Sequence, residues 1–565
     1  MKFMAIVFTL VEMQSPIFRA KFRFREIDLE PAKIVFLRED LKVIHSQFLR
    51  WFWFKALLWL YSIAHVGFGQ HSVQAQELTS TLLGRGTHWQ TPIYIQDSGV
   101  DGPTVIVTGG IHGNEPAGSR AAQQIKHWPI RKGKLVVIPK VNVAALAADK
   151  RYTPEAEDSL RDLNRNFPFP DIHDSPRGEI ATALWDFLLD QDPDWLFDLH
   201  EGYHFNISHQ PPPGKDKSVG STIICDGQKQ SGVMTERMLA SANDLVTRPD
   251  RKFLLKERGP KRTTLASAVI HVLGKPAMIL ETTHQFQRMP VRTAQHRAMM
   301  STALVQIGML DKDCANVFAP PKSSSRDIIY VALYDDTGAS ENGVANLTKA
   351  FDADAKLEVS HLSSDQIRAE VLEQFDVVVF GGGSGSKEAE AIGVEGAEVV
   401  RNFVKNGGGY IGVCAGAYLC SSHYRWSLNL IDTHVLTGKR MVEGQGEKSM
   451  WYRGKVTKQK IQLTEEGQQI FAGDAAIFDV KYQNGPIVSP RNFPGLKPYT
   501  VLSWFRSEKV LYPPQEGTMV NTPAIVMGDY GKGKVISISP HPEATDNYEA
   551  MLPSAVKAVS RNPKF

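Results

Sequence analysis

The feature that most constrains the fold is an alternation of short, apolar, β-branched runs with helical segments, which occurs twice along the chain. The first series spans residues 76–319 and includes TVIVTGG at 104–110, followed by a predicted helix at 116–127. Strands that alternate with helices indicate a mostly parallel sheet covered by helices. The Pro- and Ser-rich segment at 320–326 predicts a linker. The alternation then restarts, so the sequence predicts two α/β domains in tandem, at 76–319 and 327–565.

Length and composition exclude several classes of protein. The chain of 565 residues is too long for a single core, and its 42% hydrophobic and 22% charged residues are typical of globular proteins. Residues 1–75 carry ten basic and six acidic side chains, which leaves 54 basic and 55 acidic side chains in the remainder. Such a balance gives no electrostatic footprint for nucleic acid. Four cysteines without paired CxxC spacing exclude a disulfide scaffold and a Cys₄ zinc site.

The one strongly apolar stretch, WFWFKALLWLYSIAHVGF at 51–68, follows basic residues and precedes a small-residue cleavage pattern at Val73 and Ala75. This order predicts a secretory signal within a leader at 1–75. A membrane anchor is the alternative, but Lys55 and His65 interrupt the stretch.

The leader carries two further expectations. Its first 42 residues are unusually long for a signal, which suggests that the true start lies downstream, near Val43. The mature protein is expected to begin at Gln76 and to work in the periplasm or outside the cell, and to meet the membrane only through an uncleaved leader.

The first half contains a pattern of candidate metal ligands. In GGIHGNEPAG, His112 and Glu115 lie three residues apart just after a strand, and His200 ends the apolar strand DWLFDLH. Two imidazoles and one carboxylate with an open fourth position are typical of catalytic zinc sites. Asp198, two residues before His200, could orient its imidazole. By itself an HxxE pair is more often two solvated loop residues.

Neighbouring motifs strengthen the metal interpretation. DLNRNFP contains Asn164 and Arg165, and Arg151 lies upstream in DKRYTP. Arginine forks suit a substrate carboxylate or a developing oxyanion. The strand PAMILETTH carries Glu281, whose carboxylate could take a proton from a metal-bound water.

The motifs GGIHGNEPAG, DLNRNFP, FDLHEG and ILET, in this order, resemble the zinc carboxypeptidase superfamily, specifically its succinylglutamate desuccinylase/aspartoacylase branch and the related murein-peptide amidases. The resemblance covers about residues 85–312. It implies a mixed sheet with flanking helices, a Zn²⁺ cofactor, and a small peptide or acyl-amino-acid substrate. It assigns the metal ligands His112, Glu115 and His200, the carbonyl-polarising Arg151, the carboxylate binders Asn164 and Arg165, and the general base Glu281.

Two points of this assignment stay open. Arg161 competes with Arg151 as the arginine that polarises the carbonyl. No residue corresponds to the mobile tyrosine of many carboxypeptidases, so the choice between a peptide and an acyl-amino-acid substrate is undecided.

The second half contains a candidate nucleophile. GGYIGVCAGAYL places Cys414 between glycines, after an apolar strand and before a helix whose dipole favours the thiolate. SPHPEATD supplies His541 and Glu543, which would complete a Cys–His–Glu triad. The glycine-rich FGGGSG at 380–385 could present backbone N–H groups to an oxyanion. The alternative is a buried structural cysteine.

GVCAG and YGKGKVISISPHPE make residues 326–560 similar to the class I glutamine amidotransferase-like fold, most closely the version at the N-terminus of some biotin–protein ligases. The resemblance implies a flavodoxin-like sheet. Tyr418 stands where glutamine-using members carry Gln, Glu or His, which places glutamine binding and turnover in doubt. Cys420 is expected in the core, whereas Cys225 and Cys314 are either free or paired with each other. GKGK at 531–534 is expected to form a hairpin turn, since it lacks phosphate-loop spacing.

Three functional hypotheses follow. The first is an exported zinc-dependent hydrolase that cleaves a C-terminal peptide bond or an N-acyl amino acid beside a free carboxylate. The second is a cell-envelope ligand-binding protein in which one or both sites are non-catalytic. The third places the main chemistry at Cys414. The sequence does not determine the oligomeric state.

Overall fold

Two β-sheets, each flanked by helices, organise the computed structural model. The structure describes residues 78–227, 232–322, 326–449, 457–471, 476–508 and 518–562. The predicted signal at 51–68 lies outside these residues. None of the helices in the described ranges has the length and apolar character needed to cross a membrane.

Eight strands of the first half form one mixed sheet. They are β1 (Thr79–Leu83), β2 (Thr91–Asp97), β3 (Thr104–Gly109), β4 (Lys134–Ile138), β5 (Trp195–Gly202), β6 (Thr222–Ile224), β7 (Leu254–Lys256) and β8 (Ala277–Thr283). Their order across the sheet is β1-β2-β4-β3-β5-β8-β6-β7. Strands β4, β3, β5 and β8 are mutually parallel, whereas β1, β2 and β6 add antiparallel pairs. This is the mixed sheet that the sequence predicts.

Helices cover both faces of this sheet because the side chains of each buried strand alternate between its two faces. In β3, Val105 and Val107 pack in one hydrophobic cluster and Ile106 packs in the opposite one. The six helices are α1 (Pro116–Ile125), α2 (Val143–Ala148), α3 (Glu179–Gln191), α4 (Val233–Asp244), α5 (Leu265–His271) and α6 (Met289–Ile307). Helices α1, α4 and α6 contribute to the first cluster, and α3 and α5 to the second. Helix α6 begins at Met289, because Pro290 is tolerated in a first helical turn.

Nine strands of the second half form the second large sheet. They are β9 (Ile329–Tyr334), β10 (Leu357–Leu362), β11 (Val377–Phe380), β12 (Gly409–Val413), β16 (Thr457–Leu463), β17 (Ile477–Tyr482), β19 (Thr500–Phe505), β20 (Pro523–Tyr530) and β21 (Gly533–Ile538). Two small antiparallel pairs complete the strands: β13 (Thr433–Val435) with β18 (Val488–Pro490), and β14 (Lys439–Val442) with β15 (Gly446–Ser449).

The order of the large sheet is β10-β9-β11-β12-β21-β20-β19-β16-β17. Its first five strands are parallel, and their order along the chain, second-first-third-fourth-fifth, is that of flavodoxin-like folds. The remaining strands are antiparallel. The predicted fold class is therefore confirmed. Strands β20 and β21 turn at Gly531 and Lys532, so the GKGK segment is the expected hairpin.

Six helices flank the second sheet. They are α7 (Glu341–Asp352), α8 (Ser364–Arg368), α9 (Gly385–Lys405), α10 (Ala415–Cys420), α11 (Glu465–Phe471) and α12 (Met551–Val559). Gly393 divides α9 into two parts, because its φ of 67° is not helical.

The two halves pack against each other through buried polar contacts, and residues 76–565 form one compact unit. Helix α1 ends at Lys126, whose Nζ lies 2.7 Å from Glu358 Oε2 on β10, and His127 Nε2 lies 3.0 Å from Glu358 Oε1. Burial alone would raise the pKa of Glu358, but Lys126 and His127 lower it to about 2. Phe318 also packs in the core of the second half, against Phe375. The contacts between the halves therefore involve charged groups removed from water.

We expect Lys126→Met to destabilise the protein by about 3–5 kcal/mol, because it leaves the Glu358 carboxylate buried without its cation. Adding Glu358→Gln should recover part of that loss. The control is Lys439→Met, since the Lys439–Glu447 pair is exposed and should contribute little. Denaturant unfolding checks this. Equal effects of the two lysine substitutions would contradict it.

Candidate functional site

The first group of candidate residues meets at the carboxyl ends of three neighbouring parallel strands. His112 and Glu115 lie in the loop between β3 and α1, and His200 and Glu281 lie on β5 and β8. The register of these two strands pairs His200 directly with Glu281. Parallel pairing thus brings together residues that are far apart in the sequence.

The three predicted metal ligands converge on one point. His112 Nδ1 lies 2.9 Å from Glu115 Oε1, and His200 Nδ1 lies 2.7 Å from Glu115 Oε2. One donor atom from each residue lies within 4.8 Å of the others, and all three residues are buried. His112 Nδ1 makes no well-aligned hydrogen bond to any described residue, although it is buried. An inward-facing, buried nitrogen without a hydrogen bond is what a metal ligand requires, so this donor set fits a zinc ion.

The outer nitrogen of each imidazole faces a carboxylate. His200 Nε2 lies 2.8 Å from Asp198 Oδ2, and His112 Nε2 lies 3.1 Å from Asp162 Oδ1. Such carboxylates fix the ring orientation and the tautomer of ligating histidines. Asp198 has the position that the sequence suggested. Asp162 was missed, although it begins the DLNRNFP motif.

Opposite charges at the candidate metal site compensate each other. Burial alone would raise the pKa of Glu115, but His112 and His200 hold it well below its ordinary value. Burial alone would lower the pKa of His200, but Asp198 and Glu115 raise it well above its ordinary value. Glu115 and His200 therefore stabilise each other's charged forms.

The structure separates the two competing arginines. Arg151 Nη1 donates to Glu115 Oε1 at 2.9 Å, and its Nη2 lies 3.5 Å from Asp162 Oδ2. Arg161 instead pairs with the exposed Asp158 at 3.2 Å and stacks on the ring of Tyr152. Only Arg151 of these two contacts the carboxylates of the candidate metal site.

The predicted carboxylate binders differ in how they are engaged. Asn164 is buried, with Oδ1 accepting a hydrogen bond from the Leu265 backbone at 2.8 Å and Nδ2 lying 3.2 Å from His200 Nε2. Arg165 is half-buried, and its Nη1 donates to the Asn164 carbonyl. The Asn164 contacts suit the positioning of His200, whereas Arg165 keeps donors that can bind another group.

Glu281 stands apart from the other carboxylates of the site. It is 7% exposed, and its Oε2 has no hydrogen-bond partner among the described residues. Burial raises the pKa of Glu281 to about 8, and the opposing effect of His200 is smaller. A buried carboxylate without a partner, beside candidate metal ligands, has the setting of a proton acceptor.

Glu201, which the sequence analysis did not identify, connects Glu115, the start of α1 and Arg292 of α6 through hydrogen bonds. Its backbone N–H donates to Glu115 Oε2 at 3.1 Å, and its own Oε2 accepts from the Ala117 N–H at the start of α1. Its Oε1 accepts from Arg292 Nη1 at 2.7 Å. The only sequence signal for Glu201 was its position next to His200 in FDLHEG.

The second group of residues meets at the carboxyl ends of β11, β12 and β21. Cys414 follows β12 with a φ of 51°, a strained conformation for a residue with a side chain. A Cβ at Gly412 would collide with the Gly416 carbonyl, and a Cβ at Gly416 would collide with the Phe380 carbonyl. The flanking glycines are therefore required for the sharp turn that presents the thiol.

His541 and Glu543 follow β21 as predicted, and His541 Nδ1 lies 2.7 Å from Glu543 Oε1. Burial alone would lower the pKa of His541, but Cys414 and Glu543 raise it well above its ordinary value. Gly382 lies beside both groups, since a Cβ there would be 3.1 Å from His541 Cε1 and 3.9 Å from Cys414 Cβ. Among the described residues, the N–H groups of Gly382 and Ala415 have no acceptor, as an oxyanion site requires.

Comparison with known families gives a match in each half. Residues 101–208 match the family described as "Succinylglutamate desuccinylase/Aspartoacylase catalytic domain", and residues 329–562 match "Biotin-protein ligase, N terminal". Both predicted resemblances are confirmed. The desuccinylase/aspartoacylase match contains His112, Glu115 and His200, and the ligase N-terminal match contains Cys414 and His541.

Individual relatives resemble part of the chain. The N-alpha-acetyl-L-2,4-diaminobutyric acid deacetylase of Halomonas elongata is 30% identical over 149 residues, 25% of this chain and 41% of the deacetylase, so the chain spans less than half of that relative. Csd4 from Helicobacter pylori, a D,L-carboxypeptidase in its mDAP-bound form, is 18% identical with a TM-score of 0.31 over 41% of this chain and 61% of Csd4. An aspartoacylase family protein from Mesorhizobium loti is 20% identical with a TM-score of 0.29 over 43% and 71% of the two chains.

The ligase N-terminal half should contain the most reactive thiol of the chain. All four cysteines are free. Burial raises the pKa of Cys225 to about 11 and that of Cys420 to about 12, and it also raises the pKa of Cys314. Limited alkylation at neutral pH should therefore modify Cys414 first, because the thiolate is the reacting species. Peptide mapping checks the order. Slower labelling of Cys414 than of Cys225 would contradict the triad.

Proposed function

We propose that residues 76–319 form a zinc-dependent hydrolase that cleaves an amide bond next to a free carboxylate, either a C-terminal peptide bond or an N-acyl amino acid. The observation that carries this proposal is the convergence of His112, Glu115 and His200, with the outer nitrogen of each imidazole held by an aspartate. A zinc ion bound there would polarise the scissile carbonyl and lower the pKa of a bound water.

The chain's own residues supply the remaining chemistry. Glu281 takes a proton from the attacking water and returns it to the departing amine, since its carboxylate has an oxygen without a partner. Arg151 lies against Glu115 and stabilises the negative charge that develops on the carbonyl oxygen. Asp162 and Asp198 keep the two imidazoles in the orientation that exposes their Nδ1 atoms.

The substrate class follows from Arg165 and from the family match. A guanidinium at the edge of the site suits a substrate carboxylate, which it can bind through two hydrogen bonds. The matched family and the Halomonas deacetylase carry names of enzymes that act on acylated amino acids, which supports an amide bond beside an amino-acid carboxylate. We propose that the protein is exported, that its leader ends before Gln76, and that residues 320–326 separate the two domains.

Replacing Glu281 by Gln should abolish turnover while zinc still binds, because the amide keeps the size of the side chain and loses its basicity. We expect kcat to fall by about 10²–10⁴. His200→Ala should instead lose the metal. Zinc content by elemental analysis and hydrolysis of acyl amino acids are the two measurements. Near-normal kcat in zinc-loaded Glu281→Gln would overturn the assignment.

Arg151→Ala and Arg161→Ala form a matched pair that tests the choice of arginine. Arg151→Ala should reduce kcat/KM by about 10²–10³, since it removes charge from the developing oxyanion. Arg161→Ala should change kcat/KM by less than about twofold, because Arg161 contacts exposed groups away from the metal ligands. The reverse ranking would reassign the role.

The alternative is a cell-envelope binding protein without turnover. The partnerless oxygen of Glu281 favours the enzyme, since a binding site gains nothing from a buried base without a partner. Absence of stoichiometric zinc after purification in the presence of zinc would favour the binding protein.

A further inference from the structure

A second cavity, in the ligase N-terminal half, takes no part in the proposed zinc chemistry. It has a volume of about 900 Å³, and Cys414, His541 and Glu543 are among the residues that line it. Ligand pockets of 300–1,000 Å³ typically enclose drug-sized molecules. A cavity this large exceeds what a single amino acid such as glutamine fills.

Part of the cavity lining is aromatic. Tyr424 and Trp426 stack with ring centroids 4.6 Å apart and planes 8° apart, and the ring of Tyr418 lies 6.2 Å from that of Tyr424. The Tyr418 hydroxyl donates to the Asn484 carbonyl at 2.9 Å, which fixes this ring in the wall. Tyr418, which stands where glutamine-using members carry Gln, Glu or His, is therefore held in place as part of the cavity lining.

Two polar groups of this wall remain available. The hydroxyl of Tyr424 and the indole N–H of Trp426 form no hydrogen bond with the described residues. Partly buried Tyr and Trp side chains usually find a partner for these groups. A flat ring with polar substituents would cover the aromatic face and use both groups.

The wall is also close to the reacting atoms. A Cβ at Gly385 would lie 3.3 Å from the Trp426 six-membered ring, so this indole packs over the start of the helix that follows the FGGGSG loop. Gly382 of the same loop adjoins Cys414 and His541. A ligand ring in contact with Trp426 would therefore lie near the glycine-rich loop that adjoins the thiol.

The charge of the cavity lining indicates that the ligand carries an anionic group. Lys481 lines the cavity and forms no ion pair with the described residues. The lining carboxylate, Glu543, is already hydrogen-bonded to His541. The unpaired charge at this site is therefore positive, which favours a negatively charged ligand.

We propose that the Cys414 site hydrolyses an amide whose acyl or amine portion carries a flat ring and an anionic group, with Trp426 and Lys481 as specificity-determining residues. The Cys414 sulfur forms a bond to the acyl carbon, the C–N bond breaks, and His541 gives its proton to the departing amine. Water then attacks the thioester, His541 takes one of its protons, and the carboxylic acid leaves as the thiol is restored. Amide and water are consumed, and acid and amine are formed, with no oxidant or reductant.

Alkylating probes test the ring contact in the full-length protein. Iodoacetamide, N-phenyl iodoacetamide and N-iodoacetylglucosamine share one reactive group, and their rates at Cys414 are measured by peptide mapping and divided by their rates with glutathione. We expect N-phenyl iodoacetamide to exceed iodoacetamide by about two- to tenfold, as an aromatic contact predicts. N-iodoacetylglucosamine, whose sugar ring is puckered rather than flat, should gain less.

Trp426→Ala should remove this preference and Trp426→Phe should retain it. Because the readout is a ratio of rates, a change in the intrinsic reactivity of the thiol does not affect it. Equal normalised rates for all three probes in the unaltered protein, or an unchanged ratio in Trp426→Ala, would overturn the proposed ring contact.

The preference of the Cys414 site for a negatively charged ligand has a separate test. The probe 4-(iodoacetamido)benzoate should label Cys414 about two- to fivefold faster than N-phenyl iodoacetamide, and the difference should shrink at high salt. Lys481→Gln should abolish it. The control is Lys458→Gln, since Lys458 lies opposite Lys481 on the neighbouring strand, is exposed, and does not line the cavity. An equal effect of both substitutions would overturn the role of Lys481. These assays do not involve the zinc site, so their outcome is independent of the first proposal.

Discussion

Both candidate sites depend on the parallel pairing of neighbouring strands, which brings the carboxyl ends of distant segments to one edge of each sheet. In the first sheet, β3, β5 and β8 place His112, His200 and Glu281 together, and the register between β5 and β8 sets His200 beside Glu281. In the second sheet, β12 and β21 do the same for Cys414 and His541. The buried strands form the hydrophobic core, and residues at the strand ends and in the loops form the sites. The same kind of sheet can therefore support many different reactions.

The first site concentrates charged and ionisable groups in a place that excludes water. Glu115 lies between two imidazoles, and Asp198 is fully buried behind one of them. Removing such groups from water is costly unless their charges are paired and their hydrogen bonds are made. The contacts with Glu201 and Arg151 supply part of that compensation, and a divalent cation would supply more. Among the described residues, Glu281 is the member whose Oε2 has no hydrogen-bond partner, which supports its proposed role as the base.

The arrangement of α1 shows how the two halves are joined. This helix starts directly after Glu115, a candidate metal ligand, and is followed by Lys126, which pairs with Glu358 of the second sheet. Arg288, just before α6, contacts Asp335 and the Ala339 carbonyl, next to the loop residues that line the thiol cavity. Helix α1 thus connects the first candidate site, at its start, to the contact between the halves, at its end.

The amino-acid sequence alone predicts the fold class, the two α/β halves and the candidate site residues His112, Glu115, His200 and Cys414, because strand–helix alternation and local motifs express short-range constraints. It could not choose between Arg151 and Arg161, since both lie in the same loop region and only the folded chain directs one to Glu115 and the other to solvent. Nor could it assign Asp162 or Glu201, or unite Tyr424, Trp426 and Lys481 in one cavity. Those contacts join segments that are separate along the chain, and they exist only once the sheets have packed.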